Sequence, residues 1–474
     1  MSQVPDEPRR RPHVVVVGSG ISGLSAAWHL LRGANVTLLE SEHRLGGHTH
    51  THQIEVNGHK GPVDTGFIVL NHRTYPGLTR WFDQLGVRLH NADMSFAVSV
   101  DHGAFEWCGS TLNTVFAQRT NLLSPSFWRM LYDILRFNAK APQDCEKSSG
   151  PEDDGPSLGE YLDQNRYSKM FQQGYLLPMA GAIWSCPAEQ MRAFPLRSFV
   201  RFCSNHGLLS LLNRPQWLSL KGGSHRYIEA LLARVKAENL PLTVQTGHEV
   251  QAIQTLGDAQ SGSQSVRILG RQHQPDHAAS EPFSLEADAV VLASHSDQSL
   301  KMLQTTGHPC IGWLAKIGYQ PNTAYLHTDL SLMPRRRKAW AAWNYLSFDK
   351  PDQRQSNCVS VTYWMNQLQD LEQRDPILVS LNPPTPPKAS SILKVLHYAH
   401  PIFDGPAIEA QSRLQAVQGE QRVWLAGAWL GNGFHEDGYQ SGRRAAMDVL
   451  SSVAVEPASA SSNADASSLA GSPT

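Results

Sequence analysis

The residues best suited to chemistry are a glycine-rich turn near the start of the chain and one carboxylate that follows it. Gly18 to Gly23 has the pattern Gly-x-Gly-x-x-Gly and directly follows four consecutive valines. Glycines at this spacing permit a tight turn, close approach of the backbone to a diphosphate, and close packing of the next helix. Glu40 follows about twenty residues later, where a carboxylate accepts hydrogen bonds from a ribose. The pattern predicts a dinucleotide site that favours an unphosphorylated adenosine ribose.

Three short elements must position this turn and this carboxylate. Val14 to Val17 form a β-branched run typical of a strand buried in a parallel sheet. The spacing predicts a helix from Leu24 to Arg32, whose N-terminus offers free N–H groups to a diphosphate. Asn35 to Leu39 is predicted as the second strand, which ends at the carboxylate. A glycine turn used for packing alone is the alternative. The residues predicted to hold the dinucleotide are Gly18, Ser19, Gly20, Ser22, Gly23 and Glu40.

The residues after the carboxylate distinguish NAD from FAD. The segment Arg44-Leu45-Gly46-Gly47-His48 resembles the second motif of the flavin-containing amine oxidase and phytoene desaturase superfamily. In that motif an acid is followed by a Gly-Gly pair and usually an arginine, and a plain NAD dehydrogenase has no need of it. Here His48 stands where many members have arginine. The resemblance implies that Arg44, Gly46, Gly47 and His48 contact FAD.

Further motifs of the superfamily follow in the expected order. Asp64-Thr65-Gly66 resembles a turn beside the isoalloxazine ring, where glycine allows close approach of the backbone. Val250 stands where relatives form backbone hydrogen bonds with adenine. Residues 423–446 resemble the C-terminal flavin motif, whose helix N-terminus points at the N1/O2 edge of the flavin. The residues implied in this last motif are Gly427, Ala428, Asp437, Gly438 and Ser441.

This resemblance implies FAD as the cofactor and hydride removal from a substrate C–H bond to flavin N5. No cysteine follows Cys358, which excludes a C-terminal thioether link and indicates non-covalent binding. His435 and Glu436 are the candidates for proton transfer, and Phe434 is the candidate for an aromatic wall of the substrate cavity. A structural role in the final helix or in the core is the alternative for all three.

The absence of one lysine that is common in amine oxidases helps to predict the class of substrate. Amine oxidases of the superfamily commonly carry a lysine, water-bridged to flavin N5, on a stretch that corresponds to Tyr319 to Tyr325. That stretch contains none, and Lys316 is out of register. The absence favours a desaturase or an isomerase. The segments LLPMAGAIWS and GNGFHEDG further resemble a bacterial subgroup of predicted NAD/FAD-binding proteins, which often accompany cyclopropane fatty acid synthase-like methyltransferases.

The resemblance therefore implies an FAD-dependent oxidoreductase that desaturates or oxidises an apolar substrate, such as an unsaturated fatty acyl chain. Two alternatives stay open. One is an amine oxidase that produces hydrogen peroxide. The other is a flavin-bound protein without turnover of its own, which acts as the partner of a lipid methyltransferase.

Three histidines after the second motif raise the question of a metal site. His48, His50 and His52 alternate with threonines, so they share one face of a predicted strand. No carboxylate or cysteine stands at ligand spacing beside them. We therefore predict no metal site and interpret the segment as chain close to the flavin.

The composition limits the remaining classes of function. The chain has 474 residues with 41 Lys+Arg and 42 Asp+Glu, a balance that gives no electrostatic reason to bind nucleic acid. Six scattered cysteines and the lack of an apolar signal core indicate a reducing, cytoplasmic setting. No stretch approaches the roughly 20 apolar residues of a transmembrane helix. Residues 121–138 have apolar groups at helical spacing, which fits a packed helix of the substrate domain or peripheral contact with a membrane.

The separated flavin motifs predict an α/β fold made of two interleaved domains. A Rossmann-type FAD-binding domain of the glutathione reductase type is predicted from residues 12–73, 217–298 and 416–455. An α+β substrate domain is predicted from residues 74–216 and 299–415. Residues 456–474 form a Ser/Ala/Gly-rich tail that we predict to be disordered.

Overall fold

The computed structural model describes residues 10–147, 155–184, 188–210, 214–257, 264–274, 280–347, 360–372 and 374–453. The strands in chain order are β1 (His13–Val17), β2 (Asn35–Leu39), β3 (Thr51–Val56), β4 (His59–Asp64), β5 (Leu89–Ala92), β6 (Phe96–Val100), β7 (Phe105–Cys108), β8 (Trp217–Leu220), β9 (Leu242–Gln245), β10 (His248–Leu256), β11 (Ser265–His273), β12 (Ser280–Ala287), β13 (Ala289–Leu292), β14 (Tyr319–His327), β15 (Trp343–Ser347), β16 (Ser360–Trp364), β17 (Leu378–Leu381), β18 (Ile392–Pro401) and β19 (Val423–Leu425).

The α-helices are α1 (Ile21–Leu30), α2 (Pro76–Leu85), α3 (Leu112–Val115), α4 (Pro125–Lys147), α5 (Leu158–Gln164), α6 (Lys169–Phe171), α7 (Leu177–Trp184), α8 (Ala188–Arg192), α9 (Leu196–Asn205), α10 (Arg226–Ala237), α11 (Ser296–Leu303), α12 (Ile311–Leu314), α13 (Met365–Leu368), α14 (Gly405–Gln415) and α15 (His435–Val453). A π-helical turn, Gln172–Leu176, joins α6 to α7.

A five-stranded parallel sheet forms the centre of the first domain, in the order β19-β13-β1-β2-β9. Strand β1 lies in the middle and pairs in parallel with β13 on one side and β2 on the other. Its four valines are buried because both faces of the sheet are covered, which explains the run of β-branched residues. The five strands come from three separate parts of the chain.

Different elements pack on the two faces of this sheet. One face packs with α1, α2, α10 and α15 in a core that includes Leu24, Trp81 and Tyr227. The other face packs with α11, α12, α14 and the antiparallel sheet β10-β11-β12, through residues such as Ile253 and Ile268. Each face therefore contributes its own alternate set of strand side chains to a separate core.

A seven-stranded mixed sheet forms the second domain, in the order β18-β14-β17-β16-β15-β6-β7. Its pairs are antiparallel except for β15 with β6, which run parallel. Helices α4 to α9 build a separate aromatic core beside this sheet, centred on Phe127, Phe137, Phe171 and Phe199. The second domain therefore combines a mostly antiparallel sheet with a group of helices, which is an α+β composition.

The predicted α/β fold class is confirmed, and several element bounds differ from prediction. Helix α1 begins at Ile21, three residues before the predicted start, because Gly20 is its N-cap. The helix predicted at residues 121–138 starts instead at Pro125, after a 3-10 helix, Arg119–Leu123. Helix α2 packs in the core of the first domain, so that core extends beyond residue 73. The predicted disordered tail lies outside the described residues.

Helix α7 directly follows the π-helical turn, and seven of its eight residues are buried. Among the residues described, no helix combines the length and the apolar character needed to cross a bilayer.

Close packing of α15 on α1 generates a stability prediction for Gly442→Ala. A Cβ at Gly442 would lie 2.0 Å from the backbone carbonyl oxygen of Ser22, so the two helices would have to separate. We expect a loss of about 1–3 kcal/mol, typical of overpacking. The unfolding midpoint in urea measures it. Gly312→Ala is the control because nothing lies within 4 Å of a Cβ there; equal midpoints for both variants would contradict the prediction.

Candidate active site

The glycine turn after β1 ends in a helix N-terminus that faces open space. A Cβ on Gly23 would lie 1.8 Å from the carbonyl oxygen of Gly18, so only glycine allows α1 to pack on the turn. Gly20 is different, because nothing lies within 4 Å of a Cβ built on it. It caps α1 without any side-chain hydrogen bond. The first N–H groups of α1 therefore lie beside space that an anionic group can fill.

Glu40 lies at the end of β2, directly beside this turn. The backbone N and Oγ of Ser19 donate to its Oε2 at 2.8 and 2.6 Å, and the backbone N of Glu42 donates to its Oε1 at 2.9 Å. Oγ of Ser19 also accepts a hydrogen bond from the backbone N of Gly46 at 3.1 Å. One buried serine thus joins the turn, the carboxylate and the Gly-Gly pair.

Arg44 and Val250 lie on segments that reach the same end of the sheet. Nη1 of Arg44 donates to the carbonyl oxygen of Gly47 at 2.9 Å, which fixes the loop after the carboxylate. The backbone N of His248 donates to the carbonyl oxygen of Glu40 at 2.8 Å. Strand β10 therefore starts beside the backbone of Glu40, and Val250 is two residues further along this strand.

These residues fit the adenosine diphosphate part of FAD. The uncapped N-terminus of α1 supplies N–H donors for a diphosphate, and Glu40 supplies an acceptor for ribose hydroxyls. Gly47 passes the same space, since a Cβ on it would lie 3.3 Å from Cα of Gly20. The lack of side chains at both glycines keeps the cradle open for a ligand.

Asp64 is a buried anchor between the two domains. Its carboxylate accepts hydrogen bonds from the hydroxyl of Thr51, from the backbone N of Ser224 at 2.9 Å, and from Nε2 of Gln369 at 2.6 Å. Burial raises the pKa of Asp64 to about 6, although these donors oppose the shift. The side chain that the resemblance implied beside FAD is thus directed at β3, at the turn before α10, and at residue 369 of the second domain.

Gly66 makes room for the chain itself. A Cβ there would lie 2.1 Å from the carbonyl oxygen of His48, which also accepts a hydrogen bond from the backbone N of Phe67 at 2.9 Å. The close neighbour of this glycine is therefore backbone, and a place of Gly66 beside the flavin ring stays a prediction. The hydroxyl of Thr65, next to it, lies 2.7 Å from the hydroxyl of Tyr398 on β18.

Four rings form what we call the imidazole cluster: His48, His295, Tyr398 and His400. The ring centroid of His48 lies 5.9 Å from that of His295, 5.2 Å from that of Tyr398 and 5.5 Å from that of His400. Nε2 of His48 is buried and has no hydrogen-bond partner among the described residues. Burial lowers the pKa of His48 well below its usual value and that of His400 to about 4. These imidazoles are therefore neutral at pH 7.

The other two histidines of the predicted trio lie beside the cluster. The rings of His50 and His52 are 4.0 Å apart, and burial lowers their pKa values to about 3 and 4. Nε2 of His52 lies 3.1 Å from Oγ1 of Thr65. Within the described ranges, no group of three His, Cys, Asp or Glu side chains is arranged to hold a metal ion.

The C-terminal motif meets the glycine turn through α15. A Cβ on Gly438 would lie 3.0 Å from Oγ of Ser22, so α15 lies directly on α1. Oγ of Ser441 accepts a hydrogen bond from the backbone N of Gly427 at 3.1 Å, and Ala428 starts a short 3-10 helix after it. The first and last motifs therefore form one site, although the chain separates them widely.

Backbone N–H groups hold the two carboxylates at the start of α15. Oε1 and Oε2 of Glu436 accept from the backbone N of Gly77 and of Leu78, both at 2.9 Å, and thereby cap α2. Oδ2 of Asp437 accepts from the backbone N of Phe434 at 3.0 Å, and burial raises its pKa to about 6. For Glu436 this geometry favours the structural role that was the alternative to proton transfer.

His435 and Phe434 contact different domains. The ring of His435 stacks on Phe67 with centroids 3.7 Å apart, and its Nε2 lies 3.2 Å from Oγ1 of Thr49. Burial lowers the pKa of His435 to about 3, so it is neutral. The ring of Phe434 stacks on Phe202 of α9 with centroids 4.9 Å apart. Phe434 thus joins the first domain to the aromatic core of the second.

A cavity of about 540 Å³ opens beside Phe434, between α9 and the start of α15. Its lining is mostly polar and consists of Arg73, Thr74, Tyr75, Pro76, Ser204, Asn205, His206, Asn432, Phe434, Glu436 and Asp437. The stretch from Tyr319 to Tyr325 has no lysine, and the nearest one is Lys316. Its ammonium group pairs with Glu409 of α14 at 3.1 Å and lies over the ring of Trp313 of α12. Lys316 therefore contacts α12 and α14.

The sequence analysis missed several residues that the fold brings to this site. Tyr398 and His400 are two apart on β18 and share one face, a period-two signal that was available. His295 directly precedes α11, and no local pattern marks it. Phe202 joins the site through a tertiary stack on Phe434, which no spacing within the sequence indicates.

The sequence matches the family described as flavin containing amine oxidoreductase over residues 21–370, most of the chain. The chain belongs to this family. It is an FAD-dependent oxidoreductase of the amine oxidase superfamily, which confirms the predictions of the cofactor and of the enzyme class.

Curated relatives match over short stretches. Lysine-specific histone demethylase 1 homolog 3 of Oryza sativa subsp. indica is 37% identical over 89 residues, which are 19% of this chain and 11% of the relative. Polyamine oxidase 5 of Oryza sativa subsp. japonica is 38% identical over 96 residues, 19% of this chain and 18% of the relative. The matched stretch thus spans less than a fifth of the length of either relative.

Solved structures resemble nearly the whole chain. A protein provisionally assigned as a protoporphyrinogen oxidase from Exiguobacterium sp. 255-15 has a TM-score of 0.64 at 18% identity, over 94% of this chain and 99% of that one. A putrescine oxidase triple mutant has 0.62 at 14%, over 93% and 99%. A CLA-producing fatty acid isomerase from P. acnes has 0.59 at 13%, over 93% and 99%. At these identities the likeness establishes the fold.

The open space at Gly20 predicts that Gly20→Ala folds normally and binds FAD at least about tenfold more weakly. Apart from the chain neighbours of Gly20, no atom of the described residues lies within 4 Å of the added methyl group, so a ligand in that space is what would conflict with it. FAD titration of the apoprotein measures the affinity, and the unfolding midpoint checks the fold. Gly312→Ala is the matched control, and an FAD affinity of Gly20→Ala equal to that of the control would refute the placement.

The buried imidazoles predict that stability falls as the pH drops below 6.5. Folding holds the pKa of His400 at about 4, whereas the unfolded chain restores its ordinary value of 6.5. Between these values the unfolded chain binds more protons, so stability is lost as the pH falls through this range. One such histidine costs about 1.4 kcal/mol at one pH unit below 6.5.

Urea unfolding of the holoprotein between pH 8 and pH 5 measures this effect. His400→Gln is expected to reduce the loss at pH 5.5 by about 1 kcal/mol. Tyr398→Phe is the control on the same strand, because burial raises the pKa of that phenol and it stays protonated throughout. A pH slope in His400→Gln as steep as in the control would contradict the prediction.

Proposed function

We propose that this oxidoreductase removes a hydride from a C–H bond of an apolar substrate, with unsaturated fatty acyl chains as the substrate class. The observation that carries the proposal is the aromatic wall formed by Trp184, Phe202, His206 and Phe434. Phe202 stacks on Phe434, and its ring centroid lies 4.5 Å from that of Trp184. His206 and Phe434 also line the cavity at the junction of the two domains.

The charge state of this wall supports a hydrocarbon substrate. The ring of His206 stacks on Phe202 at 3.9 Å, and burial lowers its pKa, so the imidazole is neutral. A wall of two phenyl rings, one indole and one neutral imidazole gains free energy from apolar contact, at about 25 cal/mol per Å² of surface buried. The four rings of the wall carry no charge, and the carboxylates of the cavity, Glu436 and Asp437, lie outside the wall.

FAD held by the glycine turn and Glu40 would supply the acceptor for the hydride and its electron pair. Desaturation then requires a proton to leave the neighbouring carbon as the C=C bond forms. His435 is a weak base, because burial holds its pKa at about 3. Both oxygens of Glu436 are occupied by the backbone of α2. We therefore assign the proton to water, and His435 to positioning Phe67 and Thr49.

Amine oxidation is the second candidate. Glu436 and Asp437 line the same cavity, where carboxylates attract an ammonium substrate. A polyamine oxidase is among the relatives of the chain, although it matches only over a short stretch. The two candidates differ in the substrate that reduces the flavin.

Anaerobic bleaching of the flavin absorbance separates them. We expect bleaching of the holoprotein by an unsaturated fatty acid and none by putrescine or spermidine. Phe434→Leu is expected to raise the fatty acid concentration for half-maximal bleaching about tenfold, since a ring of the wall is lost. Phe105→Leu is the control, because that partly buried ring contacts Phe127 in the aromatic core and is not a residue of the wall. Bleaching by polyamines alone, with peroxide release in air, would overturn the proposal in favour of amine oxidation.

A further inference from the structure

Large apolar side chains are exposed together on one part of the second domain, which we call the outer surface. Leu123 and Leu112 are the most exposed, at 88% and 80%. Between residues 112 and 135 lie six of the nine large apolar side chains that are exposed in the described part of the chain. The residues of the outer surface are Leu112, Leu122, Leu123, Trp128, Tyr132 and Leu135. Such a concentration marks an interaction site, whereas single exposed apolar groups do not.

These side chains are contiguous. Nε1 of Trp128 donates to the carbonyl oxygen of Leu122 at 2.9 Å, which ties α4 to the 3-10 helix before it. The ring of Trp128 also lies 5.4 Å from that of Phe116, whose backbone N donates to the carbonyl oxygen of Leu112. Helix α3, the 3-10 helix Arg119–Leu123 and the start of α4 thus form one surface.

Helix α4 is apolar on two opposite sides. Phe127, Met130, Ile134 and Phe137 are buried in the aromatic core of the second domain. Trp128, Tyr132 and Leu135, at i, i+4 and i+7, form an outward stripe. Packing of the domain explains the inner side. The outer stripe needs an apolar environment that the described part of the chain does not supply.

Basic residues surround this stripe. Residues 110–147 contain five basic side chains, Arg119, Arg129, Arg136, Lys140 and Lys147, and three acidic ones, Asp133, Asp144 and Glu146, of which Asp144 pairs with Lys140 at 3.8 Å. Asp133 is fully buried, and its carboxylate pairs with Arg129 at 3.2 Å and Arg136 at 3.7 Å. The surface therefore carries a net positive charge.

A second group of basic residues lies next to α3. Helix α3 packs against the 3-10 helix Arg337–Ala339, which belongs to the basic segment 335–338. Arg335, Arg337 and Lys338 are exposed there. The positive rim thus continues past Leu112, on the same side as the most exposed leucines.

We propose that the outer surface rests on an anionic phospholipid bilayer. An amphipathic helix that lies in the interface places leucines in the acyl region, tryptophan and tyrosine at the headgroups, and basic residues against anionic lipid. Leu123, Trp128 and the arginines of α4 have this order of chemistry. The inference does not depend on the proposed substrate, because the surface is separate from the cavity at Phe434.

The test is co-sedimentation of the holoprotein with vesicles. Phosphatidylcholine vesicles that contain phosphatidylglycerol are expected to bind the protein, and vesicles of phosphatidylcholine alone to bind it at least about fivefold less. Leu123→Glu is expected to lower the affinity for the anionic vesicles about tenfold, because it removes an inserted side chain and adds a negative charge. Met447→Glu is the matched control, since Met447 is 47% exposed on α15 and lies outside the outer surface.

Each outcome decides the proposal. Loss of binding in Leu123→Glu, with binding by Met447→Glu as in wild type, supports it. Failure of the wild-type holoprotein to bind anionic vesicles overturns it, as does equal loss in both variants. A dimer in light scattering that Leu123→Glu converts to a monomer, without vesicle binding by either, would assign the outer surface to a second copy of this chain.

Discussion

The contact between α1 and α15 is the constraint on which the rest of the structure depends. Oγ of Ser25 donates to the carbonyl oxygen of Tyr439 at 2.7 Å, across 414 residues of sequence. Gly438 and Gly442 bring α15 directly onto α1. Because this contact joins the first and last motifs, the chain between them must leave the parallel sheet and return to it. The second domain is therefore made of chain segments inserted between these motifs. Its position depends on the contact of α1 with α15, two helices of the first domain.

Desolvation dominates the electrostatics of the junction between the domains. Buried carboxylates there are held by N–H and O–H donors, as at Asp64 and Glu436, because an unpaired buried charge would cost too much free energy. Imidazoles in the same region instead become neutral. Neutral groups do not neutralise the charge of a bound diphosphate. That role falls to the dipole and free N–H groups of α1.

Sequence patterns within one short segment predicted the features that depend only on interactions within that segment. The valine run, the glycine turn, β2 and Glu40 follow from strand burial and backbone sterics within one short segment, and the structure has them in the predicted order. The start of α1 was misplaced because a glycine N-cap carries no side-chain signal. Asp64 shows the limit of motif reasoning. The resemblance implied a turn beside the flavin, but no local pattern indicates the partners at positions 224 and 369 that determine where its carboxylate points.

Two contacts of different physical kind align the domains, and they respond differently to solution conditions. Ionised Asp64 accepts from donors of both domains, so protonation below its pKa of about 6 removes acceptor capacity there. The stack of Phe434 on Phe202 depends on dispersion and burial, which do not change with pH in this range. Because burial raises the pKa of Asp64 above its ordinary value of 3.8, the folded chain binds this proton more readily than the unfolded chain, and the protonation adds stability as the pH falls from about 6 towards 3.8. The contact at Asp64 therefore changes with pH in this range, and the stack of Phe434 on Phe202 does not.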